Sequence, residues 1–149
     1  MPLVLAAALT IFDQLVKQWV VATYPLGGAG QYLGLGFRFT YEQNTGAAFS
    51  LFRGNPYALG TLSAVVSLAI VTFLIVRRKT LPTLQRYALA SILGGAVGNM
   101  IDRFRLGYVV DFIHFKIPGF NFAVFNVADS CVVIGAALLI GSSIFQKRN

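Results

Sequence analysis

Phe122-Ala-Val-Phe-Asn126-Val-Ala-Asp129-Ser-Cys131-Val-Val-Ile-Gly-Ala-Ala-Leu-Leu-Ile-Gly-Ser-Ser-Ile-Phe145 is an apolar run long enough to cross a bilayer, with a carboxylate a few residues into it. An acid in such a place costs roughly 2.5–3.5 kcal/mol on insertion scales, which makes Asp129 a functional-site candidate by default. The other acidic residues behave alike. All five (Asp13, Glu42, Asp102, Asp111 and Asp129) lie in or beside apolar segments. At roughly 3 kcal/mol each, four of them would rival the whole stability of a typical domain. They must be held, have their pKa values shifted, or be used.

Composition places the chain in a membrane. Of 149 residues, 56% are hydrophobic and 11% charged, against about 25% charged in soluble domains. Mean hydropathy is +0.71. The length fits one domain over residues 1–149. The net charge of +7 does not point to nucleic acid, because the basic residues are scattered between apolar runs and not striped on one face. The single Cys131 excludes an internal disulfide framework and is expected as a small buried hydrophobe. Met1 to Tyr24 lacks a basic start and is interrupted by Asp13 and Lys17, so it reads as a retained span and not a signal peptide.

A span needs about 20 mostly apolar residues. Tyr57–Val76 has twenty and no charge, with Asn55-Pro56 as a start signal and Arg77-Arg78-Lys79 closing it. Leu3–Tyr24 is a second span, in which Asp13 and Lys17 are i,i+4 neighbours able to neutralise each other. Leu84–Arg103 is a third, with Gly94 and Gly98 forming a small-xxx-small face for a neighbouring helix. Phe122–Phe145 is the fourth. The expected fold is therefore a membrane all-α bundle of four transmembrane helices with small extracytoplasmic β elements. Basic residues at 77–86 and in the Lys147-Arg148 tail fall on one side, which places both termini in the cytoplasm and residues 25–56 and 104–121 outside.

Of the external segments, Gln31–Glu42 alternates Leu33, Leu35, Phe37, Phe39 and Tyr41 with small or polar residues. That period of two predicts one strand with an apolar face, resting on headgroups or covering a site. Asn44-Thr-Gly46-Ala47-Ala48-Phe49 follows, small enough for backbone to approach a ligand. In the second segment, Phe112–Ile117 and Phe120–Val124 flank the turn dipeptide Pro118-Gly119. Folded as a hairpin, this sequence puts Asp111 opposite Asn126, with Asp129 one helical turn further on the same side. A short interfacial helix over 108–116 is the competing conformation.

Two carboxylates brought together where water is scarce cannot both ionise cheaply, so they share a proton. An aspartic protease needs that state: one acid takes a proton from the attacking water while the other donates to the oxyanion. The remaining inventory offers little else. One histidine, His114, is too few for an ordinary zinc site, Cys131 has no histidine partner, and no serine sits in a nucleophile elbow. Neither metal nor cofactor is expected. Asn99, Asp102 and Arg103, at i, i+3 and i+4, read either as a self-satisfied helix end or as groups orienting substrate and dyad.

Taken together, Tyr41-Glu-Gln-Asn44-Thr-Gly46-Ala-Ala-Phe49-Ser, Gly94-Gly-Ala-Val-Gly98-Asn99-Met-Ile-Asp102-Arg103, Val109-Val-Asp111-Phe112 and Phe125-Asn126-Val-Ala-Asp129 resemble the motifs of the lipoprotein signal peptidase (signal peptidase II) family, in order along nearly the whole chain. The resemblance implies an aspartic endopeptidase of the bacterial inner membrane that cuts prolipoproteins before a diacylglyceryl-modified cysteine. It implies Asp111 and Asp129 as the catalytic dyad. Asn44, Gly46, Asn99, Arg103 and Asn126 match positions that contact substrate or inhibitors such as globomycin, and Asp13, Lys17 and Asp102 match structural polar positions. Its partners would be diacylglyceryl-prolipoproteins and membrane lipid, with the enzyme acting as a monomer. Two other readings fit the intramembrane acids: a proton- or ion-coupled carrier, which the lack of an internal repeat disfavours, and a non-enzymatic assembly subunit packing through Gly94 and Gly98.

Overall fold

The structure, a computed structural model, describes residues 1–46 and 55–146. The Ala47–Phe49 part of the small-residue motif and the Lys147-Arg148 tail lie outside the described residues. Four helices, α1 (Pro2–Thr23), α2 (Pro56–Val76), α3 (Thr83–Leu106) and α4 (Val127–Gln146), pack beside a four-stranded antiparallel sheet. The strands are β1 (Gln31–Gly34), β2 (Phe37–Asn44), β3 (Val109–Ile117) and β4 (Phe120–Asn121), in that order across the sheet.

Local chemistry sets the helix ends. The Asn55 side chain accepts from the Ala58 N–H at 3.0 Å with Pro56 in the first turn of α2. Gly107, in left-handed geometry at φ +78, closes α3. Three helices, α1, α2 and α4, are long and apolar enough to cross a membrane. α3 is as long but more polar, because it sits centrally, packs against the other three and turns Asn99 and Asp102 inward. The bundle is apolar outside: Ile11, Val65 and Val133 are 59%, 60% and 67% exposed, while Asp13, Lys17 and Asp102 are buried. Such a distribution suits lipid, where internal polar groups must satisfy one another.

Gly94 and Gly98 do form a close-approach face, and its partner is α1. A Cβ on Gly94 would lie 2.9 Å from the Ala6 carbonyl oxygen, and one on Gly98 would lie 2.6 Å from Asp13 Oδ2. Gly98 thus provides the space in which the Asp13 carboxylate sits.

Two expected elements differ from what is seen. The alternating segment Gln31–Glu42 is a hairpin and not one strand, because Gly34, Leu35 and Gly36 all take positive φ and reverse the chain. Its apolar residues consequently divide. Phe39 packs inward, edge-on to Trp19 at 5.8 Å and Phe112 at 5.9 Å, and Tyr41 is buried with Val20 and Val110. Leu33, Leu35 and Phe37 stay exposed. The fourth helix begins at Val127 and not near Phe122, since Phe125 pairs with Ile113 of β3 and Asn126 caps the helix. Between the two open conformations of 104–121, β3 and β4 form the hairpin. Ile117 faces Phe120 around Pro118-Gly119 as counted, after which the register slips by one residue.

Gly98→Ala should displace Asp13 and destabilise the bundle by about 1–3 kcal/mol, the usual cost of overpacking. Thermal unfolding in detergent reads this directly, and an unchanged midpoint would show that Asp13 does not need the space.

Candidate active site

The sheet end of the bundle collects the polar residues. β2 supplies Asn44, β3 Asp111, the last turns of α3 Asn99, Asp102 and Arg103, and the first turn of α4 Asn126 and Asp129. Asn126 Oδ1 accepts the Asp129 backbone N–H at 2.8 Å, and Asp129 Oδ2 accepts the Asn126 backbone N–H at 3.1 Å. This reciprocal capping box is why α4 starts where it does. The next free amide, Ala128 N–H, is taken by Asp13 Oδ1 at 2.9 Å, a cap delivered from α1.

The Asn126 carboxamide, fully buried, has its Nδ2 left over from the cap. It donates to Asp111 Oδ1 at 2.7 Å and to Asn99 Oδ1 at 3.1 Å, and approaches the Val110 carbonyl oxygen at 3.3 Å. Asp111 Oδ2 accepts from Asn44 Nδ2 at 2.9 Å, and Asn44 Oδ1 accepts the Gly46 N–H at 3.0 Å. Asp129 Oδ1 accepts from Asn99 Nδ2 at 2.8 Å. Asn126 therefore bonds to both aspartates, and every oxygen of the two carboxylates faces a donor. Burial first, and then the Asp129 charge, push the Asp111 carboxyl up to about 7 against the donors from Asn44 and Asn126.

A cavity of about 390 Å³ opens on Asp111, lined among others by Glu42, Asn44, Gly46, His114 and Asn121. His114 Nε2 lies 2.6 Å from Asn121 Oδ1 at its rim. Glu42, cross-strand from Asp111, is exposed. Arg103 Nη1 approaches only the Asn99 carbonyl oxygen, at 3.4 Å, and makes no ion pair among the described residues, although the Asp129, Asp111 and Asp102 charges all act on it. A half-buried guanidinium with spare donors close to the Asp111 and Asp129 charges is suited to a ligand oxygen.

Asp102 is not paired with Arg103, which would have made a self-satisfied helix end. Its partner is Lys17, whose Nζ lies 2.8 Å from both Asp102 Oδ2 and Asp13 Oδ2. Asp102 also accepts the Val110 N–H at 3.2 Å, anchoring β3 to α3. Sequence reasoning missed Gln14, whose Nε2 donates to Asp102 Oδ1 at 2.8 Å and to the Gly98 carbonyl oxygen at 3.2 Å. The signal was available: Gln14 is another polar residue in the same apolar run as Asp13 and Lys17.

Fold and site together define an integral membrane protein with a carboxylate pair at one end of its helical bundle. A family model described as "Signal peptidase (SPase) II" matches residues 5–145. A "Lipoprotein signal peptidase" of Trichormus variabilis is 48% identical over 144 residues, covering 94% of this chain and 87% of that protein. One of Caldanaerobacter subterraneus is 41% identical, covering 98% of this chain and 97% of that protein. A solved bacterial membrane enzyme, determined by the in meso method, superposes with a TM-score of 0.87 at 30% identity, covering 98% of this chain and 88% of its own. The chain belongs to the signal peptidase II family.

Asn126 does two separable jobs, and substitution should divide them. Asn126→Ala removes the cap and the donors, and should destabilise by about 1–2 kcal/mol. Asn126→Ser keeps an oxygen for the Asp129 N–H, so its unfolding midpoint should stay nearer the parent while Asp111 loses a donor. Equal midpoints for the two variants would mean that the capping role is wrong.

Proposed function

We propose that this chain is an aspartic endopeptidase that removes signal peptides from prolipoproteins, cutting immediately before a diacylglyceryl-modified cysteine. The observation that carries the reading is that Asn126 donates to both acids at once, its side-chain Nδ2 to Asp111 Oδ1 at 2.7 Å and its backbone N–H to Asp129 Oδ2 at 3.1 Å, with the Asp111 carboxyl pushed up to about 7. A pair that holds one proton near neutrality already contains both catalytic functions.

In this scheme ionised Asp129 removes a proton from water as the water oxygen attacks the scissile carbonyl. Protonated Asp111 donates to the carbonyl oxygen, giving a neutral gem-diol and leaving the proton distribution of the pair reversed. Collapse returns one hydroxyl proton to Asp111, while the proton on Asp129 passes to the leaving amine as the C–N bond breaks. The dyad ends as it began. Asn44 and Gly46 line the cavity and would meet the substrate backbone, and Arg103 has donors free for a substrate oxygen. Asn99 and Asn126 hold the acids in place.

Topology is part of the proposal. The C-terminal ends of α1 and α3 and the N-terminal ends of α2 and α4 lie at the sheet end, opposite the basic 77–86 turn. With α3 as the fourth span, the basic residues and both termini are cytoplasmic, and the dyad lies near the extracytoplasmic face of the inner membrane. The cleavage site of a membrane-crossing signal peptide emerges there, and the lipid chains of its cysteine can remain in the bilayer. The exposed Leu33, Leu35 and Phe37 would rest among the headgroups, whereas Phe39 holds the fold.

Asp111→Asn and Asp129→Asn should each cut turnover of a lipidated precursor peptide by about 10²–10⁴-fold, the usual weight of acid–base catalysis. Both proteins should remain folded, and an unlipidated peptide should be a poor substrate of the parent. Because Asp111 has to carry a proton, turnover should decline as pH rises through about 7. Substantial cleavage by either variant would rule out the dyad.

A further inference from the structure

The Lys17 ammonium lies in the middle of an apolar helix, 2% exposed, and has three hydrogens to place. Two go to carboxylates, Asp13 Oδ2 and Asp102 Oδ2, each at 2.8 Å. The third goes to Asn99 Oδ1, also at 2.8 Å. A structural ion pair needs the first two contacts only.

The third contact has a consequence for the dyad. An ammonium has donors and no acceptor, so the Asn99 carboxamide can turn only its oxygen toward Lys17. Its nitrogen is then forced to the opposite side, where it meets Asp129 Oδ1 at 2.8 Å. The flipped amide would set NH2 against an ammonium and C=O against a carboxylate, losing two charge-assisted bonds and gaining two repulsions. Asn126 Nδ2 donates to the same Asn99 oxygen at 3.1 Å and reinforces the choice. Asp111 receives its donors from Asn126 and Asn44 and has no bond to Asn99.

We propose that Lys17 is a positioning residue for catalysis: through the forced orientation of Asn99 it keeps a donor on Asp129, so the ionised form stays on α4 and the proton on β3. The helix farthest in sequence from α4 thereby decides which aspartate is base and which is acid. This rests on the two-aspartate reading above. The charged and titratable groups around the pair are Asp13 and Lys17 from α1, Asp102 and Arg103 from α3, the exposed Glu42 across β2 and His114 on β3, which lines the cavity with Asp111; Tyr108 is near Asp102 and bonded to Tyr41.

The test is the pH–rate profile of the full chain in detergent on a lipidated precursor peptide. Lys17→Met combined with Asp102→Asn keeps the local net charge, since one cation and one anion leave together. In it the Asn99 oxygen keeps only the longer Asn126 contact at 3.1 Å, so its orientation is no longer locked and the donor on Asp129 is weakened. The acid limb of the kcat profile should move up by about one pH unit, kcat should fall roughly tenfold or more, and KM should stay within about threefold. Lys17→Arg, which also lacks an acceptor, should restore the parental limb. A double variant whose acid limb matches the parent overturns the proposal, whatever its rate. If the double variant does not fold, Lys17→Gln combined with Asp102→Asn decides, because a carboxamide at 17 can accept as well as donate and adds no charge beside Asp129: an upward limb supports the proposal and an unmoved one overturns it. Retained activity in Asp111→Asn or Asp129→Asn would instead sink the dyad itself, so the two failures are distinguishable.

Discussion

Polar groups inside a lipid-embedded bundle have no water to fall back on, and this constraint orders everything at the sheet end of the molecule. Asp13, Asp102, Asp111 and Asn126 are all nearly inaccessible, and each is satisfied by a partner from a different element. Asp13 holds Lys17 and caps α4, Asp102 holds Lys17 and the start of β3, and Asn126 joins α4 to β3 and α3. No pair of these elements is tied by apolar packing alone. The network replaces solvent, and its geometry positions the acids as a by-product of satisfying them.

Within the network the acids separate into two kinds. Asp13 and Asp102 share a full cation, a closed arrangement with nothing left to exchange. Asp111 and Asp129 receive only neutral donors, from carboxamides and one backbone N–H, and the cavity opens on Asp111. Neutral donors stabilise a carboxylate less than a cation does, and at Asp111 burial and the Asp129 charge outweigh them. The first pair suits construction and the second suits proton transfer.

Much of this was legible in the sequence, for reasons that can be named. Three of the four expected spans, α1, α2 and α4, announce themselves by length and apolarity, and Pro118-Gly119 marks the hairpin that carries Asp111 toward Asn126. Asp13–Lys17 spacing identifies an internal pair. The errors have equally local causes. Alternation in 31–42 hid a reversal because Gly34 and Gly36 satisfy a period of two and a turn equally well. Phe122–Val124 is as apolar as a helix, and only the cap formed by Asn126 and Asp129 shows that the helix starts later. The Lys17–Asp102 pair was out of reach, since it depends on how α1 packs against α3.

The central claim is that Asp111 and Asp129 hold one proton between them near neutral pH. Infrared difference spectroscopy of the protein in detergent across a pH titration tests it most directly. A protonated-carboxyl band should be present at mildly acidic pH, vanish with a midpoint near 7, and be missing in Asp111→Asn. A band that is absent throughout, or that persists unchanged when Asp111 is replaced, would contradict the shared proton and the chemistry built on it.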